Sequence, residues 1–238
     1  MSAKPIAWLI VSFMFVAGIE AGAAQADEQM VVIRSSHGKP APGELLVKGQ
    51  PFTLPDGAEV TIVAADGSVR TLRGPFAGPL PGPARAQDRG LIATLQSLAK
   101  EQARGQVLGA VRGGAYSHGA IYAVEGYNAG LHCVPAAGPV EIRRQGAAAS
   151  DSGSVQDSNT GAQAQMSWQP GQTLTLWPAA VPLRDGAEYL VRAGKRAVPQ
   201  RITLKLIPGN LGSDAERVRW LSEAGCKSQA MRLLQALR

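Results

Sequence analysis

The chain has 238 residues, 28 of them Gly and 16 Pro, with 45% hydrophobic and only 5% aromatic residues and a formal net charge of +6. Such Gly and Pro usage favours turns and short strands over long helices, and the core must be aliphatic. The basic residues are scattered, with Arg143-Arg144 and Lys195-Arg196 the adjacent pairs beyond the leader, so no nucleic-acid partner is expected, because that would want a basic stripe interleaved with aromatics.

Residues 1–26 read as a secretory signal peptide. Lys4 supplies a positive start, Ile6–Ala17 is an apolar run, and Ala24-Gln25-Ala26 fits small-x-small cleavage before Asp27. The alternative is an uncleaved anchor, but a span needs roughly 20 apolar residues and Glu20 interrupts this run. The expectation is a periplasmic product without a membrane span after cleavage. About 210 residues remain, enough for one large domain or two small ones.

Asp27–Met30 is expected to fray and Val31–Ile33 to form a first strand. Ser35–Pro42 is turn-like, and Glu44–Lys48 and Gln50–Leu54 are short strands parted by Gly49. Ala58–Arg73 reads as a hairpin around Asp66-Gly67, since Gly supplies the positive φ of a tight turn. Gly74-Pro75 stops its second strand, because Pro cannot donate to a ladder. The run GELLVKGQPFTLPDGAEVTIVAADGSVRTLRGPF (Gly43–Phe76) resembles the FecR-like β-module of bacterial envelope proteins. That resemblance implies a β-module in an envelope setting. It does not imply iron-citrate signalling, since no cytoplasmic anti-sigma segment is read in the chain.

Phe76–Pro83 reads as a Gly/Pro linker. Over Ala84–Arg104 the period becomes helical, with Leu91, Ile92, Leu95, Leu98 and Ala99 on one stripe and Gly105 as the cap. This helix is expected to pack across the first sheet or to bridge the two halves. A possible strand, Val107–Val111, precedes the Gly-rich loop Arg112–Gly119, which lacks the strand-to-helix setting and GKS/GKT ending of a phosphate cradle.

Ala120–Val124, Leu131–Val134, Val140–Arg144, Gln163–Trp168, Gln172–Trp177, Ala187–Ala193 and Gln200–Ile207 read as strands. The small polar stretch Gln145–Gln163 reads as a flexible hairpin loop. Strands at such spacing with Gly and Pro turns indicate an antiparallel sandwich, and the "WP … DGAEY" stretch between Trp168 and Tyr189 resembles an immunoglobulin-like or fibronectin-like one. The tail carries the capping box Ser213-x-x-Glu216, two apolar stripes and Gly225 between them, hence an αα-hairpin. The expected fold is mainly β: a FecR-like module (27–83), a bridging helix (84–105), a β-sandwich (106–208) and a helical hairpin (209–238).

No reactive constellation is read. His37, His118 and His132 lie in separate segments without metal-ligand spacing, Ser117-His118 lacks a G-x-S-x-G setting, and Asp56 and Asp66 serve turns. No catalytic, cofactor-binding or metal-binding residues are therefore assigned, and no cofactor is expected. Cys133 and Cys226 are either a disulfide, which an exported chain permits, or two buried thiols. Tyr116, Tyr122 and Tyr127 either form a partner interface or cap the second sheet. These readings point to a non-catalytic binding or scaffolding protein of the bacterial envelope with an envelope protein as partner. The alternatives are a periplasmic enzyme assembled from distant loops and an envelope-sensing module.

Overall fold

The computed structural model describes residues 29–82, 88–108 and 118–237. The leader expected over residues 1–26 and Tyr116 lie outside them. The chain is mainly β, with a carboxyl-terminal helix pair.

The amino-terminal part holds β1 (Gln29–Ser35), β2 (Leu45–Val47), β3 (Pro51–Leu54), β4 (Glu59–Ala64), β5 (Val69–Arg73) and β6 (Phe76–Pro79). The first, second, fourth and fifth make an antiparallel sheet in the order β2-β1-β4-β5, and β3 pairs with β6. The β4–β5 turn uses Gly67 at φ +77°, with the Ser68 amide donating to Asp66 Oδ1 at 3.0 Å. Both faces of the sheet are covered. Met30, Val32, Ile62 and Ala64 pack with Leu46, Leu54 and Leu80 on one side, while Val31, Ile33, Val63 and Ala65 meet the helices on the other. Two expectations are corrected here. Met30 is fully buried within β1 rather than frayed. Phe76–Pro79 is a strand rather than a linker, because β3 offers it a four-residue ladder.

Helix α1 (Arg89–Leu108) buries Leu91, Ile92, Leu95, Leu98 and Ala99. It runs through Gly105, which has no positive φ and so is not its cap; Val107 and Leu108, expected in a strand, are its last turn. A mid-helix Gly costs only about 1 kcal/mol relative to Ala, and the buried leucine stripe outweighs that. The tail forms α3 (Asp214–Glu223) and α4 (Lys227–Ala236), joined through Gly225 at φ +92°. In the capping box the Glu216 amide donates to Ser213 Oγ at 3.1 Å and the Ser213 amide to Glu216 Oε2 at 3.3 Å. These three helices and one face of the amino-terminal sheet share a single core, which also takes in Cys133 and Ile207.

The second β unit begins with the single turn α2 (His118–Ile121), which replaces the strand expected over Ala120–Val124 up to its last residue. Then come β7 (Val124–Glu125), β8 (Gly130–Pro135), β9 (Glu141–Arg143), β10 (Asp151–Asp157), β11 (Gln163–Trp168), β12 (Leu174–Leu176), β13 (Glu188–Arg192) and β14 (Gln200–Ile207). They build a sandwich of a five-stranded sheet, β11-β10-β13-β14-β8, over a three-stranded one, β12-β9-β7. Its core draws on both sheets: Val124 and Ile142 from one, Val155, Trp168, Tyr189, Val191, Ile202 and Leu204 from the other. Most neighbours are antiparallel, but β8 runs parallel to β14 and β7 parallel to β9. The chain crosses from one sheet to the other between β7 and β8, so this leading stretch contributes an edge to each.

A tyrosine closes one corner of the sandwich. Tyr189, early in β13, donates its hydroxyl to Pro182 O at 2.8 Å and accepts the Arg184 amide at 3.0 Å, the tie of a tyrosine corner. Trp177 meets the Tyr189 ring edge-on, centroids 5.0 Å apart, and donates Nε1 to Val181 O at 2.7 Å.

A further expectation within this unit is overturned. Residues 151–157, read as a flexible loop, are a central strand of the larger sheet, with β11 on one side and β13 on the other. The inward positions Gly153, Val155 and Asp157 are buried, and the polar residues between them face out.

Candidate functional site

The outward face of the five-stranded sheet is divided. Over β14 and β8 it is covered by the carboxyl-terminal helices. Cys133 on β8 is bonded to Cys226 at the start of α4, with a Cα–Cα distance of 6.0 Å. The buried Gln229 side chain spans the same strand, accepting from the Cys133 amide at 2.8 Å and donating to the Cys133 carbonyl at 2.7 Å. Lys205 on β14 places its ammonium 5.9 Å from the Trp220 ring centre.

Over β11, β10 and β13 the same face is open, and it forms a shallow depression of about 420 Å³. Strand register sets its residues in rows. Ser154 lies between Gln165 and Arg192, and Gln156 between Gln163 and Leu190. Lys195 and Pro199, from the β13–β14 connection, close one end. The lining is thus hydroxyls, primary amides and cations around one leucine. Arg192, Lys195 and Arg196 are exposed, and among the described residues none of them is ion-paired to a carboxylate. Such a surface donates and accepts hydrogen bonds along two strands and offers positive charge at one end.

The scaffold holds this face rigidly. Gly153 lets β10 approach β13, since a Cβ there would stand 2.0 Å from Arg192 O. Asp151 fixes the connection beside Lys195. Its Oδ1 accepts the amides of Lys195 at 2.9 Å and Ser152 at 2.8 Å, and these bonds hold the carboxyl below its ordinary range. Arg144 is buried and donates to the carbonyls of Gln172 at 2.9 Å, Ala149 at 2.8 Å and Gln169 at 3.3 Å, with its guanidinium 5.8 Å from the Trp168 ring centre. It thereby ties down the loops on either side of the β10–β11 pair. At the far end Asp157 is buried. Burial raises its pKa, but the Thr160 and Asn159 amides and the Arg184 guanidinium outweigh this, and the carboxyl titrates below its ordinary value.

Set against family models, curated proteins and solved structures, the chain matches none.

The residues singled out in the sequence lie elsewhere. Tyr122 packs against the helical core, and its hydroxyl is buried without a hydrogen-bond partner among the described residues. Burial, reinforced by the Asp214 charge, pushes its pKa up to about 12. Its ring therefore fills space between α2 and the helices. Tyr127 is half-buried in the turn between β7 and β8. His37 is bonded to Ser36 Oγ at 2.8 Å on the surface of the amino-terminal sheet. His132 is buried on β8, where desolvation pushes its pKa down while the charge of Glu125 works against that and Arg232 adds to it. Glu125 is ion-paired with Arg232 on α4, which links the sandwich to the tail. Burial raises the Glu125 pKa, yet Arg232 and Asn128 outweigh it and leave the carboxyl below its ordinary value. Among the described residues no three His, Cys, Asp or Glu side chains gather as a metal site, and no helix is long and apolar enough to cross a membrane.

The open face escaped sequence reasoning because half of it lies in the stretch read as a loop. The available signal was a period of two: Gly153, Val155 and Asp157 alternating with Ser152, Ser154 and Gln156.

Proposed function

We propose that this chain is an exported, non-catalytic binding or scaffolding protein of the bacterial envelope, and that it holds an envelope protein partner on the open half of the five-stranded sheet. The observation that carries the reading is the row of Ser, Gln and Arg positions that strand register sets over β10, β11 and β13, with cations at one end. Polar groups carried on a hydrogen-bonded sheet leave no backbone to be ordered on binding, which suits recognition. Unpaired cations favour a partner with complementary acidic residues and give it a faster encounter. The Cys133–Cys226 bond supports export, because disulfides persist in oxidising compartments. The leader reading of residues 1–26 agrees with that compartment. The FecR-like reading of Gly43–Phe76 makes the amino-terminal part an envelope-type β-module that carries the binding sandwich through α1 and the helical core.

Capture from an envelope extract tests the proposal. The native chain is expected to retain a partner at low salt and release it progressively as salt rises. The combined variant Arg192→Ala, Lys195→Ala, Arg196→Ala is expected to lose most of that capture, by about tenfold or more, while unfolding at the native midpoint. Equal recovery by variant and native chain would remove the open face from the account.

A further inference from the structure

A sheet edge presents unpaired amides and carbonyls, and proteins commonly blunt such edges by shortness, charge, proline, bulges or a covering element. Among the described residues, each exposed edge except one carries such a device. On the amino-terminal sheet, β2 has three residues, and β5 carries Arg70 and Arg73. The β3–β6 pair includes Pro51 and Pro79. On the smaller sheet of the sandwich, β12 has three residues and β7 two. β8 is covered by α4, whose Gln229 bonds its backbone.

The exception is β11. Its six residues, Gln163-Ala-Gln-Met-Ser-Trp168, contain no charge and no proline, and pair with β10 in unbroken register without a bulge. Among the described residues its backbone makes no main-chain hydrogen bond beyond that ladder. Gln163, Gln165 and Ser167 are exposed on the outward side, and Ala164 is half-exposed on the inward side.

We infer that β11 pairs with β11 of a second copy of this chain, antiparallel across a two-fold axis through Gln165. The sequence of the strand is self-complementary in that register. Residues opposite one another in an antiparallel pair share a face. With Gln165 on the axis, it meets its own counterpart, Gln163 meets Ser167, and Ala164 meets Met166. Outward polar positions then face outward polar positions, and inward apolar ones face inward apolar ones. A register centred between two residues would set Gln165 against Met166 and mismatch the faces. The interface is isologous, as a closed dimer requires. The net positive charge of the molecule does not oppose it. Arg192 lies two strands behind β11, so the two copies of Arg192 are five strand spacings, about 24 Å, apart, and physiological salt screens that distance. Five strands from each copy would join in one ten-stranded sheet, and the two open faces would become one surface. The inference does not depend on what that surface binds.

The test is the oligomeric state of the full chain by sedimentation equilibrium, from low-micromolar to near-millimolar concentration, for the native protein and for Gln165→Lys and Gln165→Glu. The exposed position makes both variants compatible with the fold, which circular dichroism checks. The expected result is a native dimer whose dissociation constant rises by about tenfold in either variant alone, because like charges then lie directly opposite. An equimolar mixture of the two is expected to restore dimers at least as tight as native. A native chain that stays monomeric throughout would overturn the inference. So would a dimer indifferent to both substitutions, or a monomer whose β11 amides gain exchange protection only with an added extended peptide.

Discussion

Tyr189 shows how one side chain sets a corner of the sandwich. Its ring is buried between the sheets, while its hydroxyl satisfies a carbonyl at Pro182 and an amide at Arg184. Both backbone groups belong to the turn that brings the chain from the smaller sheet to the larger. Tyr189→Phe keeps the packing and removes both hydrogen bonds; Pro182 and Arg184 are exposed, so water can take the hydroxyl's place in part, and the cost is that of an ordinary hydrogen bond, about 0.5–1.5 kcal/mol. Urea unfolding is expected to show a loss of that size with an unchanged slope. An unchanged midpoint would mean that water replaces the hydroxyl at no cost. The neighbouring "DGAEY" letters were legible as a sandwich turn because the glycine's part is local: Gly186 takes φ +70° just before β13.

At the scale of elements, the sequence was most readable where alternation and turn residues coincide. The β4–β5 hairpin, β13, β14 and the capped α3 all fall within the expected segments, each with a local signal: a DG turn, an apolar alternation or a capping box. It was least readable where a partner strand decides. β10 has one valine on its inward side, flanked by Gly153 and Asp157, so composition alone suggests a solvated loop. Pairing with β11 and β13 makes it a strand, and the smallness of Gly153 is the condition for that pairing. Gly153→Ala would put a methyl group into the Arg192 carbonyl. Overpacking of this kind typically costs about 1–3 kcal/mol. Hydrogen exchange is expected to rise across β10, β11 and β13 and to stay native in β4. Exchange confined to native rates throughout would show that the strands separate freely. The helix α1 differs the other way: it packs as a whole against β1, α3 and α4 and continues through Gly105, where the sequence offered glycine as a stop.

For the whole molecule, the helical layer is the joint. One core unites the outer side of the amino-terminal sheet, α1, α3, α4 and the edge of the sandwich at Cys133. The Cys133–Cys226 bond closes 93 residues of chain separation across that joint, which the chain-entropy model values at about 4–5 kcal/mol. Cysteine counting made the bond conceivable; only the fold brings α4 onto β8. Cys133→Ser with Cys226→Ser is expected to lower stability by up to that amount, with thermal unfolding read under identical conditions. Reductant should have the same effect on the native chain and none on the double variant. A native chain insensitive to reductant would argue against the staple. The candidate surface belongs to this scale too. It is neither a motif nor a cluster in sequence but the half of a sheet that the tail leaves uncovered.

Site-directed photo-crosslinking in intact cells addresses that surface most directly, with the reactive group at Ser154, in the middle of the open face, and for comparison at Thr53 on β3. The account predicts a discrete envelope-protein adduct from Ser154, lost when Arg192, Lys195 and Arg196 are replaced by alanine, and no such adduct from Thr53. An adduct formed from Thr53 and absent from Ser154 would contradict it.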